Sequence, residues 1–220
     1  MYVVKIILCC YNIAMRKTKE DTQKTRQDIL QAAVENFSGK GFFNTSLNDI
    51  AQTAGVTRGA VYWHFTNKAE IFNALHADLH EPFIEHILAD LKTDSSHPIL
   101  QLRDLITQLL LYLAENPMKQ KVMGLFLNCD YSGVLAPFQV RHEASKQESL
   151  TLFQAYFKRA QDKAKLSRDA DPEILTLTLH CFLKGLLIEY VNTDIIDLKA
   201  HAKPLINQLF EGLKAMHSES

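Results

Sequence analysis

Residues 46–68 read SLNDIAQTAGVTRGAVYWHFTNK. Two short helical patterns meet here around a glycine. Ser46, followed three residues later by Asp49, is a capping-box start, and Leu47, Ile50, Ala51 and Ala54 then share one side of barely two turns. Gly55 stops that helix and permits a tight turn. Thr57 caps the next helix, which runs through Val61 to about Phe65. Two helices joined by Ala54-Gly55-Val56-Thr57 form the helix-turn-helix pattern, whose second helix offers its N-terminal side chains to a DNA major groove.

That second helix carries Arg58, Gly59, Tyr62, Trp63 and His64. The guanidinium fork of Arg58 matches the O6 and N7 acceptors of guanine. Gly59 has no side chain and lets backbone approach closely. Ser46, Thr57, Tyr62 and His64 offer hydrogen bonds to phosphate, and Lys68 adds a charge where the following helix begins. The competing reading makes Tyr62, Trp63 and Phe65 core aromatics; Phe65, on the inward side with Val61, is expected to be one.

Outward from this stretch the chain reads as helix after helix. Ile29, Leu30, Ala33, Val34 and Phe37 make an amphipathic stripe over Thr22–Phe37, ended by Gly39 and Gly41. Asn67 caps a fourth helix containing Pro82, which is expected to bend or break it. Further helices are predicted from Pro98 to Glu115, Met118 to Tyr131, Pro137 to Lys165, Asp171-Pro172 to Val191 and Leu198 to Met216. No useful strand alternation, repeat or low-complexity tract is present. The expected fold is all-α, with a three-helix DNA-binding domain over 15–66 and a larger helical body over 67–220.

Charge divides the same way. The 220 residues have a formal net charge of −1, but 15–68 carries +3 and 69–220 carries −5, a basic head on an acidic body. Cys9 and Cys10 are adjacent, Cys129 and Cys181 isolated, and no CxxC occurs. That pattern is neither a disulfide framework nor a thiolate zinc site; it fits a reducing compartment, with Cys129 and Cys181 read as small buried hydrophobes. The apolar run in residues 1–14 is too short to span a bilayer and has most of its basic residues after it, with no small-residue cleavage site. It reads as a loose extension preceding a cytosolic start at Met15, with no membrane partner expected.

The segments LNDIA (47–51), AGVTRGA (54–60) and VYWHF (61–65), followed by Asn67-Lys68, resemble the DNA-binding signature of the TetR family, and TRGAVYWHF is similar to its AcrR-like efflux repressors. Later stretches, Asn128–Tyr131, Gly185–Tyr190 and Asp197–Lys199, resemble the C-terminal domain of the same group. The resemblance implies that Thr57, Arg58, Tyr62, Trp63 and His64 contact DNA and that Lys68 holds a phosphate. It further implies a homodimeric, cytoplasmic repressor on a palindromic double-stranded operator, released by a hydrophobic inducer and controlling multidrug efflux. It makes 67–220 the ligand-binding and dimerisation domain, whose subunit interface would be a four-helix bundle built from helices near 172–192 and 198–216. The ligand cavity is expected among Ile106, Leu110, Phe126, Cys129, Phe138, His142, Phe182 and Lys184, with Phe126 standing where related drug-binding repressors commonly have histidine.

His76 and His80 fall one turn apart with Glu81, Glu85 and His86 nearby, a spacing able to hold zinc. It is not HExxH, and no Walker loop, GxSxG or GxGxxG occurs. The pair is read as a surface or ligand-gating feature at the cavity mouth; no metal or cofactor is expected. The alternatives are a zinc-dependent or other hydrolytic enzyme, and a constitutive DNA-binding dimer without an inducer.

Overall fold

The computed structural model describes residues 2–215, with side chains over 20–213. The expected helix end at Met216 lies outside the residues so described; the backbone of 2–14, read as a loose extension, is instead helical and continuous with the helix that runs through Lys40. The elements are α1 (Tyr2–Lys40), α2 (Leu47–Thr53), α3 (Arg58–His64), α4 (Lys68–Leu91), α5 (Pro98–Glu115), α6 (Pro117–Asn128), a 3-10 turn (Gly133–Leu135), α7 (Ala136–Asp162), α8 (Pro172–Asn192) and α9 (Leu198–Ala215). The fold is all-α, as the apolar spacing predicts.

Two compact units divide the chain, Met1–Leu75 and His76–Ser220. In the first, Ile29, Val34, Phe37, Ile50, Val61 and Phe65 are buried. Phe37, Phe42 and Phe72 pack ring to ring with centroids 5.2–6.2 Å apart. A buried amide ties α1 to α2: Asn36 Nδ2 donates to Thr53 Oγ1 and to Ala32 O, each at 2.8 Å. The turn after α1 is made at Gly41, whose φ of +81° favours glycine. The stop is therefore Gly41 and not Gly39, which stays helical.

In the second unit α5 packs on α7 and α9, while α8 packs on α6 and α7. Gly124 lets α6 approach α8, since a Cβ there would lie 2.8 Å from Val191 Cγ1. Tyr156 is fully buried and donates to the Asp90 carboxylate at 2.7 Å. Arg159 donates to Leu91 O and Thr93 O, satisfying carbonyls at the end of α4.

Three expectations need correction. Pro82 does not break α4, which is continuous from Lys68 to Leu91. A proline lacks the N–H that would bond the carbonyl four residues back; here Lys119 Nζ on α6 donates to that carbonyl, Asp78 O, at 3.3 Å. The helix predicted to reach Tyr131 ends at Asn128, and Cys129 is extended. Tyr131 folds back, its hydroxyl donating to Phe126 O. Finally, Cys181 is exposed and Cys129 half-buried, so neither is the buried hydrophobe expected. Cys181 lies on an outward apolar face of α8 with Ile174 and Leu177.

Candidate nucleic-acid interface and histidine cluster

The short helices of the first unit are held by their caps. Ser46 Oγ accepts from Asp49 N at 3.1 Å, and Asp49 Oδ2 accepts from Ser46 N at 2.8 Å, closing the capping box. The Ser46 hydroxyl also donates to Asp49 Oδ2 at 2.7 Å, and this bond, then the Ser46 N–H and Lys40 at 3.1 Å, hold the Asp49 carboxyl down at about 2. Thr57 Oγ1 accepts from Ala60 N at 3.1 Å and so starts α3. Asn67 Oδ1 does the same for Glu70 N at 2.9 Å, as the sequence predicts for the start of α4.

With Val61 and Phe65 turned inward, the other aromatics of α3 face solvent. Trp63 is 72% exposed and Tyr62 46%. The core-aromatic reading therefore holds for Phe65 and fails for these two. Exposed apolar rings in a well-packed unit are a signature of a contact surface. Arg58 Nη2 donates to Tyr62 Oη at 3.1 Å, with the guanidinium 5.3 Å from the ring centre. Trp63 meets His64 edge to face at 4.6 Å, and burial lowers the His64 pKa, with Arg26 adding to the effect. A Cβ on Gly59 would meet only Thr57 Oγ1, at 3.8 Å, so the packing of this unit does not demand glycine there.

Ser46, Arg58, Tyr62 and Lys68 line one open concavity of about 550 Å³. Thr45, Asn48 and Asn67 line it too, and sequence reasoning missed them. They are polar residues in a loop and at helix starts, with no periodicity to expose them. Lys68 is half-buried, and its Nζ donates to Phe42 O at 2.8 Å and Phe43 O at 3.2 Å.

The second unit brings five of the ten cavity candidates together. His142 Nδ1 and His76 Nε2 share a hydrogen bond of 3.2 Å between α7 and α4. His80 stacks on His76 at 5.4 Å, and its Nε2 lies 3.3 Å from Ser145 O. Phe126 and Phe138 each meet the His76 ring nearly perpendicularly, at 5.3 and 5.1 Å. Tyr131, which the sequence did not single out, completes the cluster against Phe138 and His142 at 5.4 and 5.6 Å. Burial, then the neighbouring His142 and His80, push His76 down to about 4. Burial also lowers His142 and His180, and raises Tyr131 to about 12. The histidines are therefore not all the surface residues of one reading: His76 is half-buried and uncharged at neutral pH.

Of the remaining candidates, Cys129 borders the cluster beside Tyr131 and Lys184 acts on His142, while the other three belong to the main apolar core. Ile106 and Leu110 are buried in the main apolar core, with Phe182 packed against it. Cys129 sits in the linker after α6, and Lys184 is exposed. Among the described residues, no group of three or more His, Cys, Asp or Glu is placed to hold a metal ion.

Comparison with known proteins gives a family for both parts. Residues 29–75 match the model of bacterial regulatory proteins of the tetR family, and 97–215 match the C-terminal region of MAATS-type transcriptional repressors. The chain is 30% identical over 199 residues to the probable acrEF/envCD operon repressor of Escherichia coli K12, covering 88% of this chain and 89% of the relative. SmeT in complex with triclosan superposes with a TM-score of 0.77 at 30% identity, over 86% of this chain and 91% of SmeT. NalD, the secondary repressor of the MexAB-OprM multidrug efflux pump in Pseudomonas aeruginosa, superposes with a TM-score of 0.75 at 32% identity, over 91% of this chain and all of NalD. The hydrolytic alternative has no counterpart among these relatives.

Proposed function

The chain belongs to the TetR family of bacterial regulatory proteins, and from that premise we propose that it is a ligand-responsive repressor of a multidrug efflux system. The observation that carries the DNA-binding half is the outward face of α3, where Tyr62 and Trp63 lie exposed beside Arg58. Arg58 swings from Tyr62 onto a guanine edge in the major groove. Tyr62, Trp63 and His64 bear on the backbone of the groove, with Thr57 and Ser46 at the two helix starts. Gly59, free of packing demands within its own unit, admits the close approach of DNA.

The acting species is a homodimer on a palindromic operator, one head per half-site, working in the cytoplasm where that DNA lies. Its subunit interface uses the outward faces of α8 and α9. α8 is long and apolar enough to cross a membrane by length and composition, with Ile174 and Leu177 exposed. A second copy covering that face accounts for its apolarity without a membrane.

The cluster of His76, His80, Phe126, Tyr131, Phe138 and His142 is the ligand-sensing centre of this reading, with Ile106, Leu110 and Phe182 as the apolar wall behind it. A compound bound there better in one conformation than the other shifts the population that holds DNA. Triclosan, seen with SmeT, is the first probe. The test is footprinting of the full chain on DNA flanking its own gene, with and without triclosan. Two symmetric protected half-sites that reopen with ligand are expected. Protection indifferent to sequence would remove the repressor reading; protection indifferent to a panel of hydrophobic ligands would leave a constitutive dimer.

A further inference from the structure

Beside the aromatic cluster, two packed helices repeat one spacing. His142 and Lys146 stand one turn apart on α7, and His180 and Lys184 one turn apart on α8. Lys146 and Lys184 each oppose protonation of both His142 and His180, so the four side chains share one neighbourhood. Glu143 favours protonation of both rings, but its carboxylate is held by Lys146 in an ion pair of 2.5 Å. From α4 the facing groups are His76 and His80, and Arg141 on α7 acts against a proton on His76. In the linker after α6, Asp130 acts on Cys129 and Cys129 on Tyr131. Arg141, Lys146 and Lys184 thus face the histidines against the one carboxylate of Glu143.

Half-buried imidazoles beside ammonium groups stay neutral for want of a counter-charge. His76 Nε2 and His142 Nδ1 share a single proton across 3.2 Å. Whichever ring donates it, the outer nitrogens, His76 Nδ1 and His142 Nε2, are one N–H and one bare nitrogen. An anion beside the pair accepts from that N–H, meets the lysine ammonium groups, and stabilises a second proton on the bare nitrogen. A cation would be repelled by the same lysines. The rings of Tyr131 and Phe138 lie 5.6 and 5.8 Å from that of His142, roughly parallel to it, so a flat apolar body finds aromatic neighbours next to the charge.

We propose that the α7–α8 side of this cluster binds an aromatic organic acid by its carboxylate, with uptake of a proton onto the histidines. The proposal rests on the ligand-sensing reading above and names the class of its ligand. Isothermal titration of the full chain without DNA tests it, using three probes that share one ring system: naphthaleneacetate, its primary amide and naphthylethylamine. The acid is expected to bind about tenfold tighter than the amide, and the amine more weakly than either. Between pH 7.5 and 6 the acid stays ionised; because binding takes up a proton, its affinity rises about threefold as pH falls, while that of the amide stays level.

Two variants sharpen the result. Lys184→Gln is expected to lower the acid-to-amide affinity ratio about threefold, and Glu143→Gln, which removes the opposing carboxylate, to raise it by a similar factor. A gain of affinity cannot come from a failure to fold. A wild-type ratio near one, a ratio that neither variant moves, or no binding of the acid would overturn the proposal. Since these titrations contain no DNA, a chain with no preference for any selected duplex would remove the repressor reading and leave the anion result standing. Operator release by triclosan from a chain that binds all three probes alike would keep that reading and remove the proposal.

Discussion

The two units use their polar side chains in opposite ways. In Met1–Leu75 polar groups sit at the surface and organise short helices: Ser46, Thr57 and Asn67 each cap one, over three residues of sequence. In His76–Ser220 the distinctive polar groups are half-buried, where His76 meets His142 from 66 residues away among three aromatic rings. The first arrangement leaves Trp63 and Tyr62 free to meet an external surface. The second makes a half-buried group whose protonation state depends on what surrounds it. A reader of DNA needs a rigid exposed face; a sensor needs an interior that a small molecule or a proton can perturb.

The largest effect separating the units is expected on the reading face. Arg58→Ala should cost about 1–3 kcal/mol per half-site on the selected operator and relax preference at one base pair. Its ligand affinity should stay unchanged, as isothermal titration with triclosan would check. Unchanged base preference would remove Arg58 from the readout.

Next comes the pH response of the body. His76 titrates near 4 when folded and near its ordinary 6.5 when unfolded. The unfolded chain therefore binds more protons between those values, and stability falls as pH drops from about 6.5 toward 4. Allowing for partial exposure, the loss attributable to His76 is about 1–2 kcal/mol. His142 and His180 are shifted in the same direction and add to it. Denaturant melts of the wild type and His76→Phe at pH 7.5 and 5 would show it, the variant losing less stability on acidification. Equal losses would mean that the cluster does not carry the response.

The head was the more legible of the two, and for a physical reason. The Ser46–Asp49 capping box, the Gly55 turn and the inward pair Val61 and Phe65 are short-range features, fixed by neighbours three or four residues away. Helix faces in the body were equally plain from spacing. The site there was not: its rings come from α4, α6, α7 and the linker carrying Tyr131, and no local pattern announces which of many apolar positions converge. The continuity of α4 through Pro82 was hidden likewise, because the Lys119 ammonium that serves the freed carbonyl lies 41 residues from Asp78. The partners of Lys68 were hidden in the same way, being the carbonyls of Phe42 and Phe43, 26 and 25 residues off in sequence.

A smaller effect tests the local half of the comparison. Ser46→Ala removes the acceptor that starts α2 and should destabilise the head by about 1 kcal/mol. Native-state hydrogen exchange would localise the loss to Met1–Leu75, leaving protection in His76–Ser220 intact. A uniform loss across both units would mean that they do not open separately. The smallest effect is expected from removing residues 1–14. We propose that a chain beginning at Met15 dimerises and binds operator within about twofold of the full chain, as gel filtration and anisotropy would record.

The central claim, an exposed reader joined to an interior sensor, is tested most directly by one titration. Fluorescence anisotropy would follow the full chain binding its selected palindromic duplex and a scrambled duplex of the same length, each with and without saturating triclosan. The account predicts at least a 10³-fold preference for the palindrome at physiological salt, two protomers per duplex, and collapse of that preference when ligand is present. Equal affinity for both duplexes, whether or not ligand is present, would contradict it.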